Sequence, residues 1–290
     1  MLGKLTTINI NEMSIELKKE EMGIEFLRIF AKFNEEIVRE LYFHTDSLKK
    51  SIVSFLVCKE FREMPIFLSE ANIDYNEFRI RSKDDNGNGD YIQLLHEKIY
   101  SDYYQLLEIY LAEVFKCLYW FFPLALADDT NPRKLSNVYF DDLFGKIDIL
   151  AVRQRLVENK VKDLIQTGNI IKSIGKLKGL FGVDAGVCKE DLDRLFIYAQ
   201  KRHLFVHDRG LVNRKYLNNI GNNGLTADSQ IGERLQLTSE DVNDMGNFIL
   251  EKIGRIIHNT LTLKIEDLFL NYEKRYLKRS VRGSKVTDSP

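Results

Sequence analysis

Proline is scarce in this chain. Four prolines and 17 glycines punctuate 290 residues, which leaves room for long helices and argues against a fold of many short strands. Cysteine is scarcer. Cys58, Cys117 and Cys188 are odd in number, far apart and without a C-x-x-C pair, so they read as reduced thiols of a cytoplasmic protein. An excess of charge is also missing. Lys plus Arg (42) nearly cancels Asp plus Glu (43), so no global basic field advertises nucleic acid, and any such binding must use a local patch. Long apolar runs are absent too. The best candidate, Cys117 to Ala127, falls short of the ~20 residues a membrane helix needs and carries Pro123. The N-terminus, Met1 to Ile8, lacks the charged and apolar regions of a secretory leader. These absences predict a cytoplasmic protein without membrane attachment.

What is present is core. A hydrophobic fraction of 44% suffices for one large domain or two small ones. Residues 1–12 read as a short strand or an arm. From Ser14 to Phe43 the pattern is helical, with Ile24, Leu27, Ile29, Phe30, Phe33, Ile37 and Leu41 marking an apolar face. Asp46 or Ser47 is placed to cap a second helix through Phe61. The clearest break is Lys83–Asp90. Asp84, Asn86, Asn88 and Gly89 fit the opening of a calcium loop, but the twelfth position is Leu95 where a bidentate Glu is needed. The stretch reads as a polar loop, and a subdomain boundary falls there.

Tyr91 to Leu126 predicts one long helix with an aromatic core stripe, interrupted by Glu108 and Glu113 and stopped by Pro123 and Asp128–Pro132. Residues 136–180 are helical again from Ser136, with Lys172, Lys176 and Lys178 as a modest basic patch. Cys188 to Asp208 forms another helix, and Gly210 offers it a left-handed stop. Leu217–Gln230 reads as a polar loop. Thr238–Asp241 resembles a capping box ahead of an amphipathic helix from Val242 to Leu261. A last helix begins near Ile265 and becomes basic at Lys274, Arg275, Lys278 and Arg279, with Tyr272 and Tyr276 interleaved. Such a stretch suits an RNA backbone, or simply a solvated tail.

The chemistry gathers at Lys201-Arg202-His203-Leu-Phe-Val-His207-Asp208-Arg209-Gly210-Leu-Val-Asn213. His203 and His207 are four apart and share a helix face. Arg202 supplies an always-charged fork that binds phosphate bidentately, and imidazole trades protons near neutral pH. Arginine and histidine without a carboxylate cage suit metal-free cleavage of RNA. There the 2′-hydroxyl is the internal nucleophile, and the products are a 2′,3′-cyclic phosphate and a 5′-hydroxyl. A different use of the same residues makes His203 and His207 metal ligands, with Asp208 or His258 as the third.

The string Arg202 to Asn213 closely resembles the signature of the HEPN superfamily: Arg, a polar residue, three mostly apolar residues, then His. The following His-Asp-Arg-Gly-Leu-Val-Asn resembles its RiboL-PSP and MAE-like branch, as does the run Leu106–Phe115 with its stop at Phe122-Pro123. The likeness covers roughly 91–263 and leaves residues 1–82 as an unassigned helical segment for docking or regulation, with 264–290 as a basic C-terminal helix and tail. It implies an all-α, up-and-down helical bundle that forms a homodimer, whose paired motifs meet in one composite ribonuclease site needing no cofactor and no metal. Carried over by position, Arg202 and His207 are the catalytic pair and His203 fills the polar position between them. Glu108, Glu113 or Asp208 would be acidic helpers. Arg209, Lys201, Lys274, Arg275, Lys278 and Arg279 would meet RNA. The setting implied is antiphage defence or a toxin–antitoxin pair, with an antitoxin or defence-system protein as partner. A HEPN module that only binds RNA or nucleotide, or serves as an assembly subunit, is the other function the likeness allows.

Overall fold

A computed structural model of the chain describes residues 15–57, 91–126, 149–166, 169–227 and 229–277. Among these residues all regular structure is helical, apart from one isolated bridge between Leu211 and Arg234. The all-α expectation holds at that level. Helix α1 is Ile15–Val57. Helix α2 is Tyr91–Phe121, followed by a 3-10 turn at Pro123–Leu126. Then come α3 (Ile149–Gln166), α4 (Ile170–Phe181), α5 (Lys189–Asp208) and α6 (Arg214–Asn222). Helix α7 (Ser239–Asn247) runs through a π-helical turn, Phe248–Gly254, into α8 (Arg255–Leu263). Helix α9 (Ile265–Tyr272) ends in a second π-helical turn, Glu273–Leu277. No described helix is long and apolar enough to cross a membrane.

The local chemistry explains most boundaries. Helix α1 continues past Asp46 and Ser47, where a cap was expected, because no Gly or Pro interrupts 24–57 and polar residues alone do not break a helix. Asn169 divides α3 from α4 by accepting the Ile171 N–H at 2.9 Å, so this stretch is two helices. Thr238 and Asp241 form the expected capping box at the start of α7. The Asn-rich run expected as a loop holds α6 instead: Tyr216 and Ile220, four apart, are both buried. Ser136, the calcium-like loop at Lys83–Asp90, Cys58, Lys278 and Arg279 lie outside the described residues.

The chain divides into two interleaved units. The first takes Met1–Lys32, Glu108–Val187 and Arg255–Pro290. Its centre is aromatic: the Phe181 ring lies 6.3, 5.6 and 6.1 Å from those of Phe115, Tyr119 and Phe122. Phe122 in turn meets Phe269 and Tyr272 at 5.0 and 4.9 Å. Cys117 is buried in this unit, which pushes its thiol up.

The second unit, Phe33–Leu107 and Cys188–Gly254, carries the Arg–His string. Tyr100 of α2 stands edge-on to Tyr198 and Phe205 of α5, at 5.8 and 5.5 Å. Leu204, Val212, Tyr216 and Ile220 form a buried cluster that fixes α6 against the end of α5. Each such side chain contributes about 1.5–3 kcal/mol on burial, so the end of α5 is braced from two sides.

In this unit Gly254, in the π-helical turn, has the Phe33 ring where a side chain would begin. A Cβ there would lie 2.3 Å from Phe33 Cε1, and Phe33 is itself buried. Gly254→Ala is therefore expected to destabilise the protein by about 1–3 kcal/mol through overpacking. A urea midpoint equal to that of the unchanged chain would contradict this.

Candidate functional site

Helix α5 ends in an unusual turn. Arg209 adopts a left-handed conformation (φ 53°), and Gly210 follows with φ 76°. The expected stop at Gly210 is thus two residues long and begins on an arginine. A non-glycine residue held in this region costs about 1–3 kcal/mol. Compensation comes from the Leu204 carbonyl, which accepts from the N–H groups of both Arg209 and Gly210. Arg234 Nε also donates to the Arg209 carbonyl at 3.3 Å. A Cβ on Gly210 would meet the Phe205 ring at 3.4 Å and Glu97 Oε1 at 3.6 Å.

The chain then runs beside residues 232–235. The Gly210 carbonyl accepts from Leu235, Val212 donates to the Glu233 carbonyl, and Gly232 donates back to Val212, at 2.8–3.0 Å. That segment is gripped from the other side by α2. Gln93 accepts the Leu237 N–H at 3.0 Å and donates to Leu235 at 3.4 Å and to Glu97 Oε1 at 3.2 Å. His96 Nδ1–H donates to the Leu237 carbonyl at 2.8 Å, and its Nε2 accepts from the Ser239 hydroxyl at 3.2 Å. Gln93, His96 and Glu97 are all buried, and buried polar groups must be hydrogen-bonded. Sequence reasoning missed all three. The signal was their register: 93, 96 and 97 continue the spacing of Tyr100, Tyr103, Tyr104 and Leu107, which places polar side chains on an apolar face.

Asn213 closes the turn. Its side-chain oxygen caps α6 by accepting the Tyr216 N–H at 2.8 Å, and its amide donates to Asp208 at 3.0 Å. Asp208 therefore orients α6 against the end of α5.

On this frame the structure brings His203 and His207 together, with ring centroids 4.6 Å apart and planes inclined at 53°. His207 is exposed and His203 half-buried. Burial, then the neighbouring His207 and Lys215, hold His203 below the ordinary imidazole value of 6.5, Asp208 opposing and Arg202 adding to the depression. Arg202 lies elsewhere on the helix. Its guanidinium sits 5.0 Å over the Tyr104 ring of α2, a cation–π contact. At about 100° per residue, Arg202 and His207 are roughly 140° apart around the axis.

The remaining predicted residues divide by unit. Lys201 is half-buried and Arg209 exposed in the second unit. Glu108 and Glu113 belong to the first, where Glu113 pairs with Lys116 at 2.6 Å. Lys274 is exposed in that unit, and Arg275 donates to the Gly179 carbonyl in the last turn of α4. His258, also in the first unit, stacks on Phe30 at 4.5 Å. Among the described residues no three His, Cys, Asp or Glu side chains gather as a metal-binding set.

No family model and no solved structure matches the chain. An uncharacterized protein of Methanocaldococcus jannaschii is 32% identical over 99 residues, which is 32% of this chain and 22% of that protein. The match thus spans about a fifth of that relative's own length.

A depressed imidazole binds its proton more weakly in the folded chain than in the unfolded one. His203 therefore contributes stability above its ordinary value of 6.5 that is lost as pH falls through its lower folded value. His258, also lowered by burial, acts in the same direction. Wild-type chain is expected to lose stability from about pH 7.5 to about pH 5.5, and His203→Gln to lose less. Identical urea midpoints for the two proteins at both pH values would contradict the burial of His203.

Proposed function

We propose that this chain is a metal-independent endoribonuclease of the HEPN type. The observation that carries the reading is the His203–His207 pair, 4.6 Å apart at a helix end. One of the two is held toward its neutral form and the other is open to solvent. Neutral His203 takes the proton of a ribose 2′-hydroxyl, and that oxygen attacks the adjacent phosphorus. The bond to the 5′-oxygen breaks as His207 returns a proton to it. A 2′,3′-cyclic phosphate and a 5′-hydroxyl result, and the proton count balances between the two imidazoles. Arg202 stabilises the charge that builds on the phosphate.

The roughly 140° between Arg202 and His207 on one helix favours a site completed by a second copy. Arg202 of one chain and the imidazoles of its partner would then flank a single phosphate. The resemblance at Arg202–Asn213 supports a homodimer acting in antiphage defence or a toxin–antitoxin pair, restrained by a partner protein. One observation favours the second reading, a HEPN module that binds RNA or nucleotide without cutting it. Arg202 already lies on Tyr104, a contact that holds α5 to α2 whether or not chemistry occurs.

Purified chain incubated with total RNA in excess EDTA is expected to yield cyclic-phosphate and 5′-hydroxyl ends. His207→Ala removes an exposed side chain, so it is expected to abolish cleavage and keep the fold. Arg202→Lys keeps the charge but loses the planar fork, and cleavage should fall by roughly 10²–10³. Undiminished cleavage by His207→Ala would overturn the assignment, and RNA binding without any cleavage would select the second reading.

A further inference from the structure

We infer that the outward face of α1 is an interface for a second copy of this chain, the two helices packing antiparallel. The inference stands apart from the ribonuclease reading and uses no residue of the His203–His207 pair.

The face is a seam. Helix α1 turns Met22, Phe26, Ile29, Phe33 and Ile37 inward, and all five are buried. Its opposite side is apolar as well. Leu17, Ile24, Ala31 and Val38 recur every seven residues, with Leu27 and Tyr42 beside them. At about 100° per residue, all of these lie within about 60° of Ile24 around the axis. Ala31 is exposed, and the other five are 50–78% exposed. Apolar side chains scattered singly over a surface need no explanation. Six on one line, at a seven-residue repeat, match the seam of a paired helix. They belong to one continuous helix, so the seam follows from the geometry of α1 alone.

Charge names the occupant and its direction. Glu20 lies in the seam and is exposed. A parallel pairing would set it against Glu20 of the second copy, and like charges so placed repel. Antiparallel pairing centred between Ala31 and Asn34 avoids this. It sets Ile24 against Tyr42 of the second copy, Leu27 against Val38 and Ala31 against Asn34, each twice by the twofold symmetry. Beside the seam the same register sets Arg28 against Glu35, again twice, and both are exposed. Lys32 and its copy lie nearest the axis, each within a turn of the other chain's Glu35. Sliding one helix by a repeat would instead set Arg28 against its own copy and Glu21 against Glu35. Arg28 pairs with Glu25 of its own helix, whereas among the described residues Glu35 makes no ion pair. The second copy supplies its cation.

The test is the mass of the purified full chain, measured by light scattering after gel filtration. The unchanged chain is expected to run as a dimer or larger, against 33.9 kDa for one chain. Ile24→Lys with Leu27→Lys alters exposed side chains only, so the helical circular dichroism should persist while the mass falls by half. Arg28→Glu is expected to raise the dissociation constant roughly tenfold, and adding Glu35→Arg to restore it. Positions 28 and 35 are about 10 Å apart along one helix, so that rescue reports a contact between chains. Should the lysine variant lose its helical signal, the charge swap decides. A monomeric unchanged chain would give the face to a different protein and overturn the inference. An unaltered mass in a folded lysine variant would overturn it too, by placing the second copy elsewhere, as would a swap that fails to restore association.

Discussion

The arrangement at the end of α5 depends on a backbone clamp. Residues 232–237 are bonded on one side to Gly210 and Val212 and on the other to Gln93 and His96. A backbone that leaves a helix carries unsatisfied N–H and C=O groups. In the buried space beside α2 those groups must find partners or cost about 1–3 kcal/mol each. The partners found here fix the direction in which the chain leaves His207, and with it the place of Arg209, Asn213 and the first turn of α6. Gln93 suits this role because a carboxamide both accepts and donates. It meets an N–H and a C=O of the same passing segment.

Electrostatics then acts on a frame already set. The chain as a whole is nearly neutral, but residues 201–215 hold five Lys or Arg against one carboxylate. Within them two rings 4.6 Å apart cannot both hold a proton cheaply, because like charges at that distance repel. That repulsion adds to burial in holding His203 below the ordinary imidazole value. Arg202 is held apart from this pair by Tyr104. The guanidinium and the imidazoles are therefore separate resources of one helix, oriented toward different neighbours.

Much of this was legible in the chain. The bounds of α5 follow from its apolar stripe, and the Thr238–Asp241 box from its spacing alone. The pairing of His203 with His207 needs nothing beyond a helix and a separation of four. Three features were not legible. Helix α6 was hidden because Leu217–Gly224 is dominated by Asn and Gly, and its two buried anchors, Tyr216 and Ile220, are too few to raise a periodic signal. Gln93, His96 and Glu97 passed unnoticed because polar residues ahead of a strong aromatic stripe look like a helix start in solvent. Their burial depends on a segment about 140 positions away in sequence. The third is the left-handed Arg209: with Gly210 adjacent, sequence assigns the left-handed stop to the glycine alone, whereas the structure extends it back onto Arg209, bonded to the Leu204 carbonyl and to Arg234.

That displaced position sets two demands against each other. Backbone geometry at 209 asks for glycine or asparagine, residues that enter the left-handed region with little strain. An exposed positive group beside His207 asks for arginine. Either residue at 209 would relax the left-handed strain and would remove an exposed cation from the exit of α5. Robustness and the local field are thus coupled through a single torsion angle, and neither can be tuned there without moving the other.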